Sequence, residues 1–422
     1  MKIIIIGAGI GGLTAALSLH KCGFSPVLYE AAPAMAPLGV GINVLPHAAR
    51  ELIELGLSEE LRAAGVEIDE MVYRNKWGRQ VWHEPRGLAA GYRWPQIAIH
   101  RGELQMLLFR AVQQRLGVDA IRMGHSLERF ETEDSGVVAH FAGHPSAHAD
   151  IMVGADGIHS MVRRGLYPQE GPARWRGGFL YRSTTALPHR LLGGRSMLWA
   201  GYASRKFVAY PIRYDAATGN SLINWICDLG HGQQEREAPP RQDWNMQADR
   251  EKFLPAFRDW QWPDVSVESI INASGAVYEF PMVDRDPLPR WTFGRTTLLG
   301  DAAHPMYPIG SNGATQAIID GRALAFCLAT AKSPDDGLHR YEEMRRPATA
   351  RIVEMNRANG PDQVLELAEL RAPGREDDLD ALFPHAERKE IADGYKKIAG
   401  FDPATLNARE SFDPRPGASS GP

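Results

Sequence analysis

The chain opens Lys2-Ile3-Ile4-Ile5-Ile6-Gly7-Ala8-Gly9-Ile10-Gly11-Gly12, and Val27-Leu28-Tyr29-Glu30 follows one helix-length later. Four isoleucines without polar alternation predict a parallel strand covered on both faces. The glycines predict a tight turn into a helix whose apolar positions include Leu13, Ala16 and Leu17. Gly7 permits the turn, Gly9 lets the backbone approach a pyrophosphate, and Gly12 lets helix and strand pack closely. Free N–H groups at the helix start, aided by the helix dipole, suit phosphate oxygens. Glu30 ends the second strand, where its carboxylate can accept hydrogen bonds from a ribose. A bare G-x-G-x-x-G is weak. Strand, turn, helix and acid at this spacing together specify an adenine dinucleotide, with FAD and NAD both open.

At 422 residues the chain exceeds one ordinary core, so two domains are expected. Charged residues make up 23% and the net charge is −4, which gives no case for nucleic acid or an anionic membrane as main partner. Cys22, Cys227 and Cys327 lack C-x-x-C or zinc spacing and predict a reducing compartment without disulfides. Residues 3–19 carry no charge, but they are too few and too glycine-rich to span a bilayer, and no stop-transfer run follows. A soluble cytoplasmic protein is expected, as monomer or homodimer.

Further along, Leu38-Gly39-Val40-Gly41-Ile42-Asn43 lets backbone pass close to something flat or bulky. Residues 46–61 predict one helix, and 66–82 a hairpin turning at Asn75-Lys76-Trp77-Gly78. A helix is expected from Arg101 to near Gly117. Residues 127–131 and 137–141 predict a three-stranded meander that ends in Ile151-Met152-Val153. Gly154-Ala155-Asp156-Gly157 then leads into a helix that Ser160 can cap. Aromatic-rich strands at 179–185, 197–201, 207–212 and 222–228 predict an antiparallel sheet, hence a second domain. A strand ending in Gly300-Asp301 follows, then a glycine-proline loop and a helix from Gly313 to about Ala331, whose start is a second site for partial negative charge. Helices are expected over 337–357, 362–371 and 386–399. Residues 413–422 predict a disordered tail.

Gly7-x-Gly9-x-x-Gly12 with Glu30, Asp156-Gly157, Gly300-Asp301 and the loop from Pro308 to Gly313 together resemble the single-component, FAD-dependent aromatic hydroxylases (class A flavoprotein monooxygenases). Within that family the chain resembles most the branch acting on 5-methylphenazine-1-carboxylate. The matching text includes residues 38–43, His100-Arg101-Gly102-Glu103-Leu104-Gln105-Met106, Gly154-Ala155-Asp156-Gly157-Ile158-His159-Ser160, 281–289 and 341–347. The tail after Asn359 does not follow that pattern. The resemblance implies an α/β fold of the p-hydroxybenzoate hydroxylase type. A Rossmann-type βαβ FAD domain would occupy 1–173, with 70–98 lending strands to an antiparallel-sheet substrate domain at 174–280. The FAD domain returns at 281–357, and a helical extension covers 358–412. NADPH or NADH would bind transiently, without a Rossmann unit of its own.

The resemblance also implies roles. Gly7, Gly9 and Gly12 would hold the pyrophosphate, Glu30 the adenosine ribose, and Gly41 would belong to the same cradle. Arg101 would reach the FAD as a cation, and the backbone of Leu127 would touch the adenine. Asp156 would lie on the pyrophosphate side, orienting Arg101 or the nicotinamide cofactor, and Asp301 would bind the ribityl chain. Pro308, Gly310, Asn312 and Gly313 would bring N–H groups to the flavin N1/C2=O edge, where reduced flavin is anionic.

The chemistry implied is addition of O2 at flavin C4a and delivery of one oxygen from the hydroperoxide to an aromatic or N-heteroaromatic ring. No residue is assigned as acid, base or nucleophile, because positioning and electrostatic support in a dry cavity suffice. His304 is given a structural role. His140, His144 and His148 have metal-like spacing, but Gly143 and Pro145 break any helix and no metal site is expected. Trp199, Phe207, Tyr210, Trp225 and Met282 are the substrate-wall candidates, although by type each would serve equally as core. Competing readings are an FAD-dependent oxidase or dehydrogenase that inserts no oxygen, and a non-catalytic flavin-binding redox or pigment-binding protein.

Overall fold

The structure is a computed structural model that describes residues 1–133, 136–188, 193–230, 236–237, 246–398 and 400–414. Ile3–Ile6 is wholly buried at the centre of a parallel sheet. The order is Thr296–Leu298, Ile151–Gly154, Ile3–Ile6, Val27–Glu30, Ile121–Met123. Ile4 pairs with Met152 on one side and Val27 on the other. Each buried isoleucine contributes roughly 1.5–3 kcal/mol. The edge strand Ile121–Met123 carried no recognised motif.

Helices Ile10–Lys21 and Gly313–Thr330 pack against each other through small residues. A Cβ on Gly321 would come within 2.7 Å of the Ala15 nitrogen, and one on Gly11 within 3.2 Å of Ala317. Close approach along this seam puts both helix N-termini on one cavity, which both Gly9 and Gly313 line.

Several local expectations need correction. Residues 46–61 form two helices, Pro46–Glu54 and Ser58–Ala64, because Gly56 turns left-handed (φ 76°) between them. The meander's third strand is His144–Ala149, whereas Ile151–Gly154 enters the parallel sheet. His144 and His148 are therefore exposed strand residues, and among the described residues no group of acids, histidines and cysteines could hold a metal.

The aromatic strands form an eight-stranded sheet with Arg174–Pro188, Asn220–Leu229, Arg205–Asp215 and Ser196–Tyr202 side by side. Glu70–Arg74 and Gln80–Pro85 extend it. The sheet is mixed rather than purely antiparallel, since Ser196–Tyr202 and Glu70–Arg74 run parallel. Gln96–His100 pairs instead with Gly41–Val44 and Gly65–Ile68 in a small separate sheet.

One face of the large sheet carries Met197, Trp199, Val208, Tyr210 and Ile212. The other carries Leu198, Ala200, Phe207, Ala209 and Trp225 over Phe253 and Phe257. That division follows the two-residue period of a strand.

The C-terminal helices cover the first face. Val364 and Leu365 of Gln363–Arg371 are buried there with Met71 and Trp82, while Leu370 stays exposed. Asp413, expected in the disordered tail, is ion-paired with Lys21 and Arg322 at 2.5 Å each. Residues 415–422 lie outside the described residues. Among the described residues no helix is long and apolar enough to cross a membrane.

Candidate active site

Gly7 adopts φ 103°, and a Cβ on it would press against the Ala155 carbonyl, so the turn admits only glycine without strain. A Cβ on Gly12 would overlap the Gly7 carbonyl oxygen. Gly9 differs, because a Cβ there would meet nothing within 4 Å. It faces open space at the start of helix Ile10–Lys21, which no side chain caps. Gly313 likewise faces open space at the start of the second uncapped helix. Two helix N-termini with free N–H groups thus aim at one cavity, which suits a ligand bearing phosphates and a second anionic group.

That cavity holds about 1670 Å3 of free space, including its open mouth. Gly9, Gly41, Arg101, Asp301, Pro308 and Gly313 line it. Trp199, Tyr210 and Met282 line it as well. Asp301 and Arg101 are exposed by area, but to this cavity. Enclosure pushes the Asp301 carboxyl up, opposed by His304 and Arg101, and pushes the Arg101 guanidinium down, opposed by Asp301.

Glu30 Oε2 accepts from Ala8 N at 2.8 Å and Oε1 from Ala32 N at 2.9 Å. These bonds orient the carboxylate and leave lone pairs for ribose hydroxyls. Gln105, within the motif quoted above, donates to Ala8 O at 3.0 Å and braces the same turn.

The Gly41 carbonyl accepts from Tyr210 Oη at 3.0 Å and Arg182 Nη2 at 2.9 Å. This carbonyl ties the glycine segment to the large sheet. Arg182 also lines the cavity, and it was not among the sequence candidates. Only the pairing of Arg174–Pro188 with its neighbours brings it there.

Other candidates sit elsewhere. Asp156 accepts from Ser160 Oγ at 2.5 Å, Met161 N at 2.7 Å and Val162 N at 3.2 Å. It takes the first N–H groups of helix Met161–Leu166, whose N-cap is Ser160 as expected, and the charge opposing burial of Arg101 is Asp301. Leu127 begins strand Leu127–Glu133 with a buried side chain and does not line the cavity.

Phe207 and Trp225 are wholly buried on the far face of the sheet, a correction that alternation with Tyr210 already contains. His304 is buried with Nε2 2.6 Å from Asp320 Oδ2, and Asp320 also takes Arg345 Nε at 2.7 Å. Gly300 N donates to the same Asp320 oxygen at 3.1 Å, so the histidine belongs to a brace under the Gly-Asp turn.

A family model described as an FAD binding domain matches residues 1–356. The chain belongs to the FAD-binding-domain family. This flavoprotein is 45% identical over 369 residues to the phenazine 1,6-dicarboxylic acid hydroxylase PhzS of Lysobacter antibioticus, covering 84% of this chain and 89% of that one. It is 31% identical over 364 residues to 3-hydroxybenzoate 6-hydroxylase 1 of Aquipseudomonas alcaligenes, covering 84% and 88%.

The fold is similar to Klebsiella pneumoniae HpxO complexed with FAD and uric acid (TM-score 0.75, 22% identity, 94% and 96% covered). It is equally similar to a salicylate hydroxylase substrate complex (0.75, 21%, 96% and 97%). FAD is therefore the dinucleotide, and the enzyme is an FAD-dependent monooxygenase of the aromatic hydroxylase type. The open Gly9 and Gly313 positions, the oriented Glu30 and the cavity-facing Asp301 fit that cofactor.

Proposed function

We propose that this flavoprotein hydroxylates a small aromatic or N-heteroaromatic ring, with NADPH or NADH as reductant and O2 as oxygen source. When bound, the FAD supplies hydride acceptance and O2 activation. Gly9 and the helix starting at Ile10 would hold its pyrophosphate, Glu30 its ribose and Asp301 its ribityl chain. The N–H groups at Gly313 would stabilise negative charge on the reduced ring without reorganisation.

The carrying observation is one cavity lined by Gly9, Asp301 and Gly313 of this cradle and also by Trp199, Tyr210 and Met282. Flat apolar walls suit a flat ring and keep water from the reacting centre. The oxidase and the pigment-binding readings would use the same wall, and oxygen insertion is what separates them from the hydroxylase. The three free cysteines favour the cytoplasm. The protein would act as a monomer or a homodimer.

The test is a screen of phenazine carboxylates, hydroxybenzoates and phenols for stimulated NAD(P)H oxidation under labelled O2. Label in the product is expected. Substrate turnover without label would favour an oxidase or dehydrogenase, and no stimulation by any aromatic would favour the non-catalytic reading.

A further inference from the structure

Behind Trp199 lies a second, smaller and more enclosed chamber. Trp199 and Ser311 line both spaces, so the two meet beside the flavin loop. The charged and amide lining of the inner chamber is Glu84, Arg86, Gln96 and Lys396. Lys396 comes from helix His385–Ile398, beyond the segment that the family model covers.

Glu84 serves two cations at once. Lys396 Nζ lies 2.6 Å from its Oε2, and Arg86 Nη2 is paired with its Oε1. Arg86 is 8% exposed and its Nε has no partner. Gln96, 2% exposed, donates only to the weak acceptor Met197 Sδ at 3.1 Å, and its Oε1 has no partner. Rotating that amide would present its N–H groups instead. Asp362 and Asp228 hold Lys206, and Asp393, 3.9 Å from Lys396, is paired with Lys389.

Arg86 and Lys396 share Glu84, with Asp393 a long second partner of Lys396, so the idle groups of the chamber are Arg86 Nε and the Gln96 amide, and an idle buried donor is costly. The free space accepts about one or two water-sized groups, which matches a carboxylate and excludes a ring.

We propose that this chamber is a carboxylate subsite. The aromatic ring stays in the main cavity against Trp199, and a carboxylate on it passes beside Trp199 to Arg86, with Gln96 and Lys396 completing its coordination. The inference rests on the hydroxylase reading above and narrows the substrate to an aromatic acid.

The test titrates the FAD-loaded enzyme with benzoate and phenazine-1,6-dicarboxylate, and with their neutral carboxamides, following flavin absorbance. The acids are expected to bind at least about tenfold tighter than the amides. Arg86→Met should abolish that preference by weakening the acids alone, and Lys396→Met should reduce it in the same sense. Since Arg86→Met removes a partner of Glu84, the double variant Glu84→Gln/Arg86→Met serves if the single one does not fold.

The proposal is overturned if a folded, FAD-loaded variant lacking Arg86 keeps the acid preference, if acids and amides weaken alike, or if neither acid perturbs the wild-type flavin. Neutral aromatics that stimulate labelled-oxygen incorporation equally in wild type and Arg86→Met would sink the subsite and leave the hydroxylase standing. Failure of every aromatic to stimulate NAD(P)H oxidation would sink the hydroxylase, and the titration would still decide the subsite.

Discussion

Tyr395 Oη accepts a hydrogen bond from Asn312 Nδ2 at 2.6 Å and lies 3.3 Å from Asn356 Oδ1, to which it can donate. A residue of the C-terminal helical extension thus holds the loop that precedes helix Gly313–Thr330. The loop needs holding, because Gly310 and Ser311 both adopt positive φ, 70° and 58°. Tyr395→Phe leaves a buried amide donor unpaired, at a cost of about 1–3 kcal/mol. Lower stability in urea and several-fold weaker FAD retention are expected. Unchanged FAD affinity would mean that the loop is held by other contacts.

Gly9→Ala and Gly12→Ala should fail in different ways. A methyl at Gly9 meets open space, so the fold survives while the group presses on the pyrophosphate position. A methyl at Gly12 strikes the Gly7 carbonyl and separates helix from strand. Thermal unfolding of the apoprotein should be nearly normal for the first and lowered for the second. FAD binding should be lost in both.

Trp199→Ala and Phe207→Ala provide a second contrast. Trp199 stands between the two spaces, so its truncation should raise KM and increase peroxide release in the folded fraction. Phe207 is wholly buried on the far face, and its loss should cost about 3–5 kcal/mol. Substrate preference of the folded fraction should stay normal. A changed preference in Phe207→Ala would show that the far face also shapes the cavity.

Lys206 lies between two buried acids, 3.3 Å from Asp228 and in a shorter pair with Asp362. Burial pushes the Asp228 carboxyl up to about 6, and the opposing pull of Lys206 is the smaller effect. A raised acid pKa stabilises the fold below the unfolded value near 3.9, and that contribution is lost as pH rises through about 6. Stability should therefore carry a falling component between about pH 4 and 6, of order 2–3 kcal/mol. Asp228→Asn should flatten it in urea titrations across that range. Lys206→Met should instead cost about 3–5 kcal/mol at neutral pH, because two buried carboxylates would face each other.

The sequence by itself determined the cofactor cradle. Strand, glycine turn, helix start and Glu30 all lie within thirty residues, and the short-range sterics of Gly7 and Gly12 set their arrangement. The aromatic strands were legible too, with ends extended by a few residues once pairing was formed. Alternation separates Tyr210 from Phe207, but it does not say which face lines the cavity.

Only the tertiary structure decided that. It also turned the Asp156 carboxylate onto Ser160 Oγ and the first N–H groups of helix Met161–Leu166, donors that only the folded turn brings together. The inner chamber carries no local signature, since Arg86, Gln96 and Lys396 stand on separate elements and each is ordinary in its own segment. Their chemistry arises because the C-terminal helix packs over the sheet edge and takes water away from charges that would otherwise be solvated.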